Sequence, residues 1–351
     1  MATPYDDQPD ALSPLGKVAG LTPELGAEVA RSVLSGRSLI LHNKEYVAVI
    51  DRQGAALQGL WWRENSEAVA LPLAEPYGAE SPYTCGQTLV PWPNRIEDAH
   101  FIFRNTLVRL EMTEPALDNA IHGLATDVVW TVSERAADSS FAALFYSHSP
   151  ASGTGWPWEF IASVRYELTA EGLVVTAAVE NKSRSAMPWG YGAHPYITAG
   201  GAELDKSTLL AQVDDWWVTT DRNLPNGEHH PVGEGVPAIN RPQLMKDVWF
   251  DTPFTISEMA PVHDGWRELA RLTGECGNGK KLDVVMEADD EFPWLQIFTT
   301  GEKTVPFPGK GRALAIEPMT CPPNAMVIGE DVIVVEPNRG WRGKWRLRAD
   351  A

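Results

Sequence analysis

Apolar positions recur along this chain in short runs, and where a period is visible it is two. Leu173, Val175, Ala177 and Val179 alternate with Val174, Thr176 and Ala178. That spacing puts one set on each face of an extended strand. Ser38 to Val49 is rich in Ile, Leu and Val, and Gly54-Ala55-Ala56-Leu57 reads as a turn into a strand. Leu282 to Met286, Trp294 to Thr299, Ala313 to Ile316, Asp331 to Val335 and Lys344 to Arg348 are further strand candidates. Only one segment has helical signals. Thr22-Pro23 offers an N-cap and a proline at the first helical position, and Ala27, Val29, Ala30, Val33 and Leu34 follow before Gly36. Many short strands separated by turns predict an all-β sandwich or barrel.

The turn residues, 29 Gly and 27 Pro, are spread throughout the 351 positions. Asn181 to Met187 and Pro225 to Pro237 read as loops, not as domain linkers, because the strand pattern resumes on both sides. The expected organisation is an N-terminal extension over residues 1–34, partly disordered and carrying a short helix, before one domain over 35–351. Composition is that of an ordinary globular chain, with 44% hydrophobic and 22% charged residues.

Charge narrows the partners. The chain carries 29 Lys+Arg against 47 Asp+Glu, a formal net charge of −18. Binding a nucleic-acid backbone requires clustered positive charge, so neither nucleic acid nor an anionic membrane is an expected partner. The N-terminus lacks a basic region followed by an apolar run, and no stretch of about 18 apolar residues could span a bilayer. The three cysteines, Cys85, Cys276 and Cys321, are too dispersed for a metal or redox motif and fit a reducing compartment. The expectation is a soluble cytoplasmic protein.

Four stretches mix aromatic, Pro, Asn and charged residues within this strand-rich background. They are Val90-Pro91-Trp92-Pro93-Asn94-Arg95-Ile96, Asn119-Ala120-Ile121-His122-Gly123-Leu124, Gly192-Ala193-His194-Pro195-Tyr196 and Ala315-Ile316-Glu317-Pro318-Met319-Thr320. Together they supply Arg95, His122, His194 and Glu317, a set able to exchange protons near neutrality. Taken singly, each has an ordinary structural reading. Arg95 could bridge loop carbonyls or a carboxylate, and either histidine could be a hydrogen-bonded turn residue. Glu317 stands out because it ends an apolar run, and buried carboxylates are rare unless paired or functional.

In order and spacing, the four stretches resemble the aldose 1-epimerases, the galactose mutarotase group. The likeness is carried by PWPNRI, NAIHGL, the long segment ending in MPWGYGAHPYI, and AIEPMTCPPNAM, and it runs from about Ser35 to Leu347. It implies a large antiparallel β-sandwich of the supersandwich type with an open cleft for a small, aldohexose-like sugar, and no cofactor or metal. On the motif match, Glu317 is the general base, His194 the general acid, and His122 an assistant at the ring oxygen. Arg95 and Asn94 would bind sugar hydroxyls. Asp251, in Asp251-Thr252-Pro253-Phe254, would hold the outer hydroxyls, with Asp247 as its rival. Trp92 is the first choice among 14 tryptophans for a face that stacks on the sugar. Ile197 and Trp92-Pro93 depart from better-known members.

Other readings remain beside this one: a non-catalytic sugar sensor on the same fold, a sugar-phosphate epimerase, and a glycosidase. The glycosidase would need a second carboxyl group flanking the bond. The sugar-phosphate epimerase would need extra Arg or Lys at the cleft. Near a carboxylate, His194 is expected to have a raised pKa. The imidazole of His194 and the carboxylate of Glu317 are expected to face each other across a pyranose-sized hollow.

Overall fold

The computed structural model describes residues 9–64, 69–276 and 279–350. Two large antiparallel sheets of twelve and ten strands hold most of the strand residues. The larger runs in the order Ser38–His42, Tyr46–Asp51, Ala56–Trp62, Leu71–Ala74, Tyr196–Ile197, Leu314–Met319, Trp294–Thr299, Asp251–Ile256, Val213–Thr219 and Pro225–Pro231. Gly192–Ala193 joins it by pairing with both Leu314–Met319 and Thr88–Leu89. The smaller sheet is centred on Phe160–Thr169, Gly172–Asn181, Gly340–Asp350 and Lys281–Ala288.

Side-chain alternation explains how the sheets stack. Along Phe160–Thr169, buried and half-buried positions alternate without a break. The buried set, Phe160, Ala162, Val164, Tyr166 and Leu168, enters the core shared with the larger sheet. Leu295, Ile297, Leu314 and Ile316 meet it from the other side. Their neighbours Gln296, Phe298, Ala315 and Glu317 therefore lie on the opposite, outer face of the larger sheet. That face carries the candidate site.

The Ser38–Val49 run is a hairpin, Ser38–His42 and Tyr46–Asp51, with every residue of the second strand buried. Both of its faces are covered. Tyr46, Ala48 and Ile50 enter the inter-sheet core, whereas Val47 and Val49 pack with Ile40, Trp61, Ala70 and Val29. Val29 belongs to the helix Pro23–Leu34, whose N-cap Thr22 accepts a hydrogen bond from the Leu25 N–H. The helix Pro23–Leu34 is thus docked on the first hairpin; residues 1–8 of the extension expected to be partly disordered lie outside the described residues. One segment expected to be a loop is a strand. Pro225–Pro231 pairs with Val213–Thr219 along one side only. An edge strand tolerates proline and polar residues because half its backbone groups need no partner.

Candidate active site

The four stretches converge because pairing brings them together. Arg95–Glu97 pairs with Asn119–Ile121, and the His122 N–H donates to the Asn94 carbonyl at 2.9 Å. Gly192–Ala193 and Tyr196–Ile197 both pair with Leu314–Met319, leaving His194-Pro195 as a break in pairing beside Glu317. The His194 N–H donates to the Gln87 carbonyl at 3.1 Å, and its carbonyl accepts from the Gly86 N–H at 2.8 Å.

These elements wall a cleft of about 400 Å³ lined by Asn94, Arg95, His122, His194, Asp251 and Glu317, together with Glu114 and Gln296. His194 Nε2 lies 3.2 Å from Glu317 Oε1. The pair is thus in direct contact, side by side on one wall, rather than facing across a hollow. The physical reason is register: His194 sits in the gap between two segments that flank the Glu317 strand. Glu317 Oε2 and His194 Nδ1 are buried and have no hydrogen-bond partner in the protein.

Burial governs the electrostatics. It pushes the Glu317 carboxyl well above the usual carboxylate range, with the charge of Asp251 adding and Arg95 opposing. It lowers His194 to about 4. The expectation that a neighbouring carboxylate would raise His194 is therefore corrected, since loss of hydration on burial is the largest cause and lowers it. His122 is pushed well below its ordinary value by burial, then by His194 and Arg95. Its Nδ1 accepts from the Asn94 N–H at 3.3 Å, so the neutral ring carries its proton on Nε2. The two imidazoles meet edge to face, with centroids 5.5 Å apart.

Arg95 does bridge a carboxylate: its Nε and Nη2 donate to Glu114 at 2.8 and 2.9 Å. Asp251 accepts from Gln296 Nε2 at 2.8 Å and from Asn223 Nδ2 at 3.1 Å, and burial raises its pKa. Its rival Asp247 is not among the cleft residues. Trp92 is a correction. It is 2% exposed and packs on Trp156 in the inter-sheet core, so it offers the cleft no face. Glu114 and Gln296 were missed. Gln296 is the one amide in Trp294–Thr299, directly opposite Glu317; a lone amide in an apolar run was its signal. Glu114 had none, since it follows an ordinary polar segment.

The fold defines a protein of the galactose mutarotase-like class: two stacked antiparallel sheets, here with a buried His–Glu pair on the outer face of one. The sequence profile of aldose 1-epimerase matches residues 37–348, and the chain belongs to that family. Among its relatives, YihR of Escherichia coli (strain K12) is 29% identical over 320 residues, covering 88% of this chain and 92% of its own. YphB of the same organism is 24% identical over 309 residues, covering 86% and 94%. The fold matches a GalM/aldose epimerase homologue from C. elegans with a TM-score of 0.75 at 14% identity, covering 89% of this chain and 99% of that one. It matches galactose 1-epimerase from Lactobacillus acidophilus NCFM with a TM-score of 0.71 at 17% identity, covering 89% and 94%.

Proposed function

We propose that this chain is a mutarotase, interconverting the α and β anomers of a free, uncharged aldose in the cytoplasm. The observation that carries this reading is the His194–Glu317 contact at 3.2 Å on the wall of an open cleft. Mutarotation needs one proton removed from O1 and one supplied to O5. Both oxygens are bonded to C1, so neighbouring groups on one wall can serve them.

The pair holds one proton, which burial leaves on Glu317 in the empty cleft; its transfer across the 3.2 Å contact to His194 gives the active form, with Glu317 as carboxylate. Glu317 takes the O1 proton as the O1 lone pair forms the carbonyl. The C1–O5 bond breaks, its electron pair goes to O5, and His194 protonates O5. Rotation about C1–C2 presents the other carbonyl face. On reclosure O5 attacks C1, its proton returns to His194, and Glu317 returns a proton to O1. No net proton or electron is exchanged, so the chemistry calls for no cofactor. His122, with a proton on Nε2, donates to the ring oxygen. Asp251, Arg95, Asn94 and Gln296 hold hydroxyls. Each positioned proton-transfer group is worth about 10²–10⁴-fold.

Two competing readings, the sugar-phosphate epimerase and the sensor, lack support at the cleft. Among the described cleft residues Arg95 is the only lysine or arginine, and it is committed to Glu114, which disfavours a phosphosugar. A sensor has no need of a buried acid/base pair. The test is polarimetry on fresh α-anomers of several aldoses. Glu317→Gln and His194→Asn should each lower kcat by about 10²–10⁴-fold, and the wild-type pH profile should be bell-shaped. The limbs belong to the pair: a second proton disables it at low pH, and loss of its only proton disables it at high pH. No acceleration for any sugar would return the sensor reading.

A further inference from the structure

The two ends of the cleft differ in chemistry. Strand register sets Gln296 beside Glu317, and Phe298 between Ala315 and Asp251 in the next row of the same face. The rows are two residues apart, about 7 Å. Tyr83 and Val305 also line the cleft and are 39% and 40% exposed. The Tyr83 hydroxyl donates to the Pro306 carbonyl at 3.2 Å. Next to Pro306, Phe307 packs on Tyr196, and Tyr196 pairs with Ala315. Tyr83 and Val305 therefore stand on the Phe298 side of the cleft.

Tyr83 is held there against its backbone preference. Its φ is 50° and that of Thr84 is 55°. Two successive non-glycine residues in the left-handed region store strain that the surroundings must offset, and such strain collects at working sites. The Cys85 N–H bonds to the Pro82 carbonyl at 2.9 Å, and the Gly86 N–H to the His194 carbonyl at 2.8 Å. The turn that presents the Tyr83 ring is thus fastened to the backbone of His194.

We infer that Tyr83 is a specificity-determining residue whose ring packs on the C–H face of the sugar, and that the Phe298 side of the cleft selects uncharged aldoses. The inference rests on the mutarotase reading and deepens it. Flat apolar faces beside hydroxyl-binding groups suit a pyranose. A phosphate on that side would meet Tyr83, Val305 and Phe298, with Asp251 near and no free cation among the described cleft residues.

The experiment compares Tyr83→Phe, Tyr83→Ala and Tyr83→Gly with wild type, using glucose, 6-deoxyglucose and glucose 6-phosphate. Kinetics are read by polarimetry, binding by calorimetry and stability by thermal melting. Wild type should accept both neutral sugars and show a KM for the phosphate at least about tenfold higher. Tyr83→Ala and Tyr83→Gly should raise KM and Kd for the neutral sugars about tenfold with kcat within about twofold, and Tyr83→Phe should stay near wild type. Tyr83→Gly should melt above Tyr83→Ala, since glycine accepts positive φ. Unchanged KM and Kd in Tyr83→Ala, or equal losses in Tyr83→Phe, would overturn the inference while turnover persists. A wild type that binds neutral sugars without turning them over defeats the mutarotase reading alone, and the Kd series then still decides the role of Tyr83.

Discussion

A buried imidazole 3.2 Å from a buried carboxyl disfavours full charge on either group alone, and so binds a single proton between them. This has a consequence for stability that can be measured apart from activity. The folded pKa of His194, about 4, lies below its ordinary value of 6.5. As pH falls, the unfolded chain takes up that proton first, so the stabilisation is present above pH 6.5 and is lost on the way to about 4. His194→Asn should therefore lose less stability than wild type over that window, measured by urea unfolding at each pH. Equal losses would place the acid sensitivity elsewhere, for instance at His148, which burial also lowers. Glu317 carries the opposite sign: its raised pKa means stability is lost as pH rises above the ordinary carboxylate range. His122, His194, Arg95, Asn94, Asp251 and Glu317 all line the cleft. Trp92 failed because an indole serves a core as readily as a sugar, and sequence neighbours do not reveal which.

Elements place these residues through backbone rather than side-chain interactions. His122 follows the short strand Asn119–Ile121 with φ of 60°, and Gly123 follows it with φ of 78°. A Cβ at Gly123 would lie 2.0 Å from the Val90 carbonyl oxygen. That carbonyl accepts from the Leu124 N–H at 2.7 Å, tying the Arg95 and His122 segments together. Gly123→Ala should destabilise the fold by about 3 kcal/mol and lower kcat as well, because the shift passes directly to His122. Denaturant unfolding and polarimetry on the same preparation check both. Strand positions were legible from their two-residue period, as in Gly172–Asn181, where the alternation persists in the structure. The edge strand Pro225–Pro231 was not, because its stability comes from a neighbour rather than from its own composition.

At the scale of the whole molecule, the net charge of −18 sets a general electrostatic term. Self-repulsion among carboxylates opposes compaction, and salt screens it beyond about 10 Å at 0.1 M. Raising NaCl from about 0.02 to about 0.3 M should thus raise Tm. A falling Tm would mean that ion pairs such as Arg271 with Glu268, Asp283 and Asp350 outweigh the repulsion. Among the described residues no helix is long and apolar enough to cross a membrane. Docking of the helix Pro23–Leu34 on the first hairpin also belongs to this scale. The unbroken burial of Tyr46–Asp51 hinted at a covering layer, yet nothing local identified the helix Pro23–Leu34 as that layer.

By itself the sequence determined the strand-rich fold and the chemical groups of the site, because side-chain period and residue type are local properties that survive without coordinates. Tertiary structure alone decided that His194 touches Glu317, that Glu114 occupies Arg95, that Trp92 is core, and that Tyr83 faces the cleft. Each of those facts depends on register between strands far apart in the chain, and on how much water burial removes, neither of which a linear pattern encodes.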